Sequence, residues 1–337
     1  MPSHLRARSV AAIAALLLAL APRARAQVAG LTGTLIVTNK SPSTATIIDV
    51  ETGRTLATLP TGQGPHEVVL SSDGATAVVT DYAGTPGNTL TVIDMAARRV
   101  VRTIDLGQYR RPHGIVYLPG DSLVAVTSEA SGQVVVVSVT EGVVRRAVPT
   151  TQQGSHMVGV AADGIRAYTG NIGSNTVSAL DLRTGEFKKT WEVPAQPEAI
   201  NVTPDASEVW VGSNATGKVS VVRPATGQVE TAAEGFGWPY RVIFSPDGTL
   251  VLLPDLRKEE LRFFDRATRR ELGRIGFPGG GPQGITITPD GRYALESMSK
   301  QARVAIVDVA KRVVVGYLQA GETPDGIGYT PRVFARD

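Results

Sequence analysis

One phrase recurs along the chain at nearly constant spacing: a glycine- and proline-led apolar strand followed by a Pro-Asp-Gly-like turn. Aligning on it gives seven equivalent positions, His66, His113, His156, Glu198, Tyr240, Gln283 and Asp325, spaced by 47, 43, 42, 42, 43 and 42 residues. A fixed period of this size marks a repeat architecture in which each unit buries its apolar faces against its neighbours. Helical solenoids would show a 3.6-residue apolar period, and none is visible.

Each unit reads as four short strands. In the sixth, Tyr240 to Ser245 is the first strand and Ser245-Pro246-Asp247-Gly248 the tight turn. Proline presets φ there and glycine accepts φ > 0. Thr249 to Leu253, Leu261 to Asp265 and Glu271 to Ile275 supply the other three strands. Runs such as Val134 to Val137 are apolar on consecutive positions, as a strand covered on both faces should be. Four strands per unit, stacked face to face, predict an all-β seven-bladed β-propeller.

The termini complete each other. Residues 34–59 hold three strands but no innermost one, and Asp325 to Pro331 holds an innermost strand alone. The C-terminal strand is therefore expected to pair with Thr34 to Thr38 and close the ring, removing exposed sheet edges.

The third strand often ends in aspartate, at Asp49, Asp94, Asp181, Asp265 and Asp308. One per blade reads as a carboxylate that caps the following hairpin rather than as catalysis.

The first 26 residues read as a secretory signal. Arg6 and Arg8 precede the apolar run Val10 to Ala21, and Ala24-Arg25-Ala26 offers a cleavage site. The run is too short to span a bilayer as a helix, and no later segment is apolar for long enough. The expectation is a periplasmic or secreted protein without a membrane span. The signal holds four of the 34 Lys+Arg and none of the 31 Asp+Glu, so the mature chain carries 30 against 31, a net charge of −1. This and the 5% aromatic content argue against nucleic acid as a partner. The chain has no cysteine, which excludes disulfides, iron–sulfur clusters, covalent c-type haem and blue copper.

On several words the chain resembles the YVTN-repeat β-propellers, which include the YncE-like exported proteins. They are Ile36-Val37-Thr38-Asn39, Tyr168-Thr169-Gly170-Asn171, Val92-Ile93-Asp94, the Thr-Gly hairpins, Pro65-His66 and Pro112-His113-Gly114. The resemblance covers about residues 31 to 331. It implies the fold; propellers of this architecture include lactone hydrolases, lyases, metal enzymes and pure binding proteins. Ser138 and Arg223 depart from the third-strand aspartate, and Asp255 to Glu260 is longer than the usual polar loop.

A propeller turns the first strand of each blade toward its central channel. The seven repeat positions should therefore ring one funnel, joined by the ends of the second strands: Asn39, Asp81, Glu129, Asn171, Asn214, Asp255 and Ser297. All three histidines of the mature chain, His66, His113 and His156, hold the same repeat position in successive blades. With Glu198 they would suit Zn²⁺, Cu²⁺ or Fe²⁺. Duplication of a Pro-His repeat word accounts for the three copies equally well. Glu198, Asn171, Asn214 and Asp325 form an oxygen-rich alternative for Ca²⁺. Glu198, Tyr240, Gln283, Asp325, Arg111, Asn171 and Asn214 are the expected ligand-binding residues of the rim, with Trp238 and Tyr240 able to stack on a ligand ring. Two readings follow. One is an exported binding or scaffold propeller for a small molecule or protein. The other is a metal-dependent enzyme of the lactone hydrolase or lyase type.

Overall fold

The computed structural model describes residues 28–334. The signal-peptide reading of residues 1–26 lies outside them. Seven four-stranded antiparallel sheets are present. Blade 1 is split: Thr34–Asn39, Thr44–Asp49 and Thr55–Pro60 are joined on the inside by Pro324–Thr330. The register runs from Thr34 opposite Thr330 to Asn39 opposite Pro324, which is the closure read from the sequence. Blades 2 to 7 begin at Pro65, Pro112, Ser155, Pro197, Ile243 and Pro282.

The strand patterns follow from stacking. Second and third strands, such as Thr34–Asn39 and Gln133–Ser138, are buried almost throughout. Outer strands, such as Arg99–Asp105, are largely exposed. Between blades lie separate apolar layers, for example Val78, Leu90 and Val92 of blade 2 against Ile115, Val126 and Val135 of blade 3. The third-strand aspartates cap their hairpins as expected. Asp49, Asp181 and Asp265 accept the N–H of Thr52 (3.0 Å), Thr184 (2.8 Å) and Thr268 (2.8 Å). In blade 3, Ser138 Oγ takes over this task, accepting Glu141 N–H at 3.2 Å.

Each inner strand is irregular just where it meets the funnel. Register shifts separate Pro65 from Val68, Pro112 from Ile115, Ser155 from Val158, Pro197 from Ala199 and Pro282 from Ile285. A bulge re-aims side chains and leaves an N–H without a ladder partner. The hydroxyl near the end of the second strand supplies one. Thr80, Thr127 and Ser297 accept from Glu67, Gly114 and Gly284 at 3.0, 2.8 and 2.8 Å. The same kind of hydroxyl also donates to the next blade's rim carbonyl: Thr38 to His66 (2.9 Å), Thr127 to His156 (2.5 Å) and Ser297 to Asp325 (2.7 Å).

Blade 6 departs from the sequence reading. Its inner strand is not Tyr240 to Ser245 but only Ile243–Phe244, with an isolated bridge between Pro239 and Asp255. Tyr240 N–H donates to Pro254 O at 2.9 Å, and proline has no N–H to return.

Candidate functional site

The seven repeat positions do converge on one rim, and the histidines are brought together. The His66 and His113 ring centroids are 4.2 Å apart, and those of His113 and His156 are 3.6 Å apart. Carboxylates hold both ends of this stack. Asp325 Oδ2 lies 2.7 Å from His66 Nδ1, and Glu129 Oε2 lies 2.6 Å from His156 Nδ1. Tyr82 stands edge-on to His66 and His113, with centroids at 4.9 and 5.1 Å, and donates its hydroxyl to Glu129 at 3.1 Å. Arg111 places its guanidinium 4.5 Å from the Tyr82 ring centroid and 3.3 Å from Glu129. It does so from a left-handed backbone, φ 55°, at a position where Gly64, Gly154 and Gly281 stand in other blades.

Burial sets the charge state of the stack. It drives His66 down to about 4, against the opposing pull of Asp325. His113, 1% exposed, falls well below the ordinary imidazole value, first through burial and then through the neighbouring histidines. Its Nδ1 faces Met157 Sδ at 3.3 Å, while Nε2 is buried with no partner. Glu129 is lowered although burial opposes this, because His156 and Arg111 favour its charge. Asp325 is lowered in the same way, its burial outweighed by Lys40 (2.7 Å), His66 and Arg241.

One residue past each rim position lies a second ring that the sequence reading missed. It is glycine or alanine in four blades, because the inner strands nearly touch: a Cβ on Gly326 would meet His66 O at 2.3 Å, and one on Gly284 would meet Asp325 O at 2.1 Å. Blades 2 and 6 carry Glu67 and Arg241 instead, and the two side chains join across the channel in a buried ion pair. A charged residue at a repeat position otherwise held by glycine, alanine or methionine was the available signal. Burial holds the Glu67 carboxyl above its ordinary value, with Arg241 opposing the shift. Beside this pair lies a channel cavity of about 150 Å³ lined by Ile115, Met157, Ile200, Asn201, Ile285 and Ile327 among others. Among the described residues, the group with ligand atoms close enough to share a metal ion is His66, Glu67 and His113, all within 4.8 Å of one another.

The second-strand set read from the sequence mixes three registers, and here the structure corrects it. Asn39, Asp81, Asn171 and Asp255 end their strands and turn into their own blades. The Asn171 amide donates to Thr176 and Ser178 (both 3.0 Å) and accepts from Ser155 (2.9 Å), so it does not line the funnel. Asp81 accepts from Gly62, Thr89 and Thr91; Asp255 accepts from Gly237 and Trp238. Ser297 lies one residue earlier and is pinned to Gly284 and Asp325. Glu129 and Asn214 lie one residue later, with Lys40 and Tyr82, and these do reach the rim. A one-residue slip along a strand turns a side chain to the other face.

The remaining rim residues differ among themselves. Tyr240 is 4% exposed and donates its hydroxyl to Asp325 (3.1 Å), so it braces the rim rather than offering a stacking face. Glu198 accepts from Asn214 Nδ2 and from Trp238 Nε1 (3.2 Å). Gln283 is buried with its Oε1 unpartnered. The oxygen-rich set expected for Ca²⁺ is not assembled, since Asn171 is committed inside its blade and Asp325 to Lys40.

No family model matches the chain, and no curated protein does. Solved structures share the architecture. Hydrazine synthase from Kuenenia stuttgartiensis superposes with a TM-score of 0.72 at 19% identity, over 82% of this chain and 93% of that one. A protein of unknown function from Desulfotomaculum acetoxidans gives 0.74 at 15%, over 88% and 99%. A provisionally named 6-phosphogluconolactonase from Bacteroides fragilis gives 0.70 at 14%, over 89% and 98%. At these identities the likeness is one of fold: this chain is a seven-bladed β-propeller.

Proposed function

We propose that this is an exported binding propeller of the YVTN-repeat type whose funnel holds a divalent transition metal ion, and that the ion in turn anchors a small ligand. The observation that carries the reading is the approach of His66, Glu67 and His113 ligand atoms to within 4.8 Å, with His113 Nε2 buried and unpartnered. Neutral imidazoles are the form that ligates, and burial keeps His66 and His113 neutral. Asp325 Oδ2 lies 2.7 Å from His66 Nδ1, so a carboxylate stands beside the ring as it commonly does at metal-ligating histidines. His156 is the next imidazole in the stack and a further candidate ligand.

Titration of chelator-treated protein with Zn²⁺, followed by calorimetry, tests this. The expected result is one ion per chain, with affinity reduced at least a hundredfold in His113→Ala. Absence of a stoichiometric site at micromolar Zn²⁺ would overturn the reading. Export is checked separately by N-terminal sequencing of protein recovered from outside the cytoplasm.

A hydrolytic reading rests on one further observation, the 2.6 Å His156–Glu129 pair beside the metal candidates. Such a pair would serve as a general base toward a nucleophilic water, with a bound metal ion supplying Lewis acidity. Metal-dependent turnover of simple lactones or esters, lost in His156→Gln, would support it; the provisional name of the Bacteroides neighbour makes lactones the first substrates to try.

A further inference from the structure

The wall of the funnel facing the histidines has a different chemistry. Asp325 faces Lys40, Glu67 faces Arg241, and Glu129 faces Arg111 and His156. Among the described residues, Glu198, only 7% exposed, is the rim carboxylate with no Lys or Arg nitrogen at ion-pair distance; Arg241 acts on it only from farther off. Its Oε2 is held by two neutral donors, the Asn214 amide and the Trp238 indole N–H. The nearest base, His156, stays 3.9 Å from Glu198 Oε1 and gives its short contact to Glu129. Arg257 on this side packs against Trp238, its guanidinium 5.5 Å from the ring.

The neighbouring polar atoms carry the same sign. Asn214, 9% exposed, spends its N–H on Glu198, and its Oδ1 is buried without a donor. Gln283, on the same rim two blades along, has its Oε1 buried without a donor as well. Buried acceptors left unpaired cost about 1–3 kcal/mol each, and a buried carboxylate costs more unless a cation meets it. The half-buried indole of Trp238 adds an electron-rich surface of the kind that attracts cations.

We infer that Glu198, Asn214 and Trp238 form a binding site for the ammonium group of a small amine. An ammonium brings three N–H donors and one positive charge, and this wall offers a carboxylate held only by neutral donors and an unpaired amide oxygen. A carboxylate or phosphate ligand would bring acceptors to a wall of acceptors, and an alcohol would bring a single donor. None of the site's three residues belongs to the His66–Glu67–His113 group, and chelator treatment separates the two readings.

The experiment uses chelator-treated, ¹⁵N-labelled full-length protein, so that metal binding does not enter. The chain has three tryptophans, and Trp238→Phe assigns the Trp238 indole N–H resonance. n-Propylammonium is expected to shift that resonance saturably, with at least tenfold weaker binding in both Glu198→Gln and Asn214→Ala. Two variants are used so that a folding defect in one leaves the other to decide. n-Propanol and propionate should give no saturable shift. No response to n-propylammonium, an equal response to n-propanol, or unchanged binding in both variants would overturn the inference. So would a response to Zn²⁺ alone that disappears in Glu198→Gln, since the carboxylate would then serve the metal.

Discussion

The two walls of the funnel solve the same problem in opposite ways. On blades 1 to 4 the charged groups meet one another: Lys40 with Asp325, Asp325 with His66, Glu129 with His156 and Arg111. On blades 5 and 7 Asn214 and Gln283 retain unmet acceptor atoms, and Glu198 is held by neutral donors. A wall whose polar groups satisfy one another is a scaffold for positioning imidazoles. A wall with acceptors in excess is a recognition surface for something that arrives from outside. The asymmetry teaches that duplication fixed where the side chains point, and divergence at single repeat positions decided what they do.

Four changes would break or sharpen this contrast. The largest concerns both walls. Removing residues 324–337 deletes the inner strand of blade 1 together with Asp325, which links Lys40, His66 and Tyr240. The cooperative thermal transition should disappear; a melting temperature within a few degrees of the full chain would refute ring closure as a source of stability.

Next, Arg241→Met should strand Glu67 and weaken the hold on Asp325. Breaking a buried pair from one side costs about 3–5 kcal/mol, read by urea denaturation. A loss below about 1 kcal/mol would mean that the channel is wetter than the burial of Arg241 indicates.

A smaller gain is expected from Glu296→Leu. Glu296 is fully buried in blade 7, both carboxylate oxygens lack partners, and burial raises it well above the ordinary glutamate value. A raised folded-state value gives stability that is complete below the unfolded value and is lost as pH rises toward the folded one. Leu253 fills the equivalent strand position in blade 6. The substitution should therefore add about 1–3 kcal/mol and flatten the decline in melting temperature above pH 5. An unchanged slope would show that another group sets it.

The smallest effect is expected at Arg111→Gly. Relief of the left-handed backbone, worth about 1–2 kcal/mol for a non-glycine residue, is offset by the lost contacts with Tyr82 and Glu129. The net change should stay within about 1 kcal/mol, while the Tyr82 ring gains solvent exposure that fluorescence quenching can read. A larger loss would show that Arg111 supports the histidine wall.

Blade number, ring closure, hairpin caps and the convergence of the histidines were legible in the sequence, because spacing and turn chemistry repeat. The register at the ends of the second strands was not. Asn171 lies 15 residues past His156 and Asn214 lies 16 past Glu198, and strand pairing shows that this one-residue offset puts them on opposite faces. Glu67 and Arg241 were hidden for a related reason. Regular strand alternation turns the residue after a rim position away from the channel, whereas a bulge opposite Thr80 and the missing N–H of Pro254 break that alternation. The shortened inner strand of blade 6 has the same origin.

The clasp between Thr34–Asn39 and Pro324–Thr330 has a consequence in time. A ribosome adding about 5–20 residues per second makes the two partner strands on the order of tens of seconds apart. Until the second one arrives, blade 1 lacks its inner strand and the core between blades 7 and 1 lacks Ile327. A newly made chain is therefore held open through nearly all of its synthesis. Completion of the ring waits for the last strand of the chain to be made.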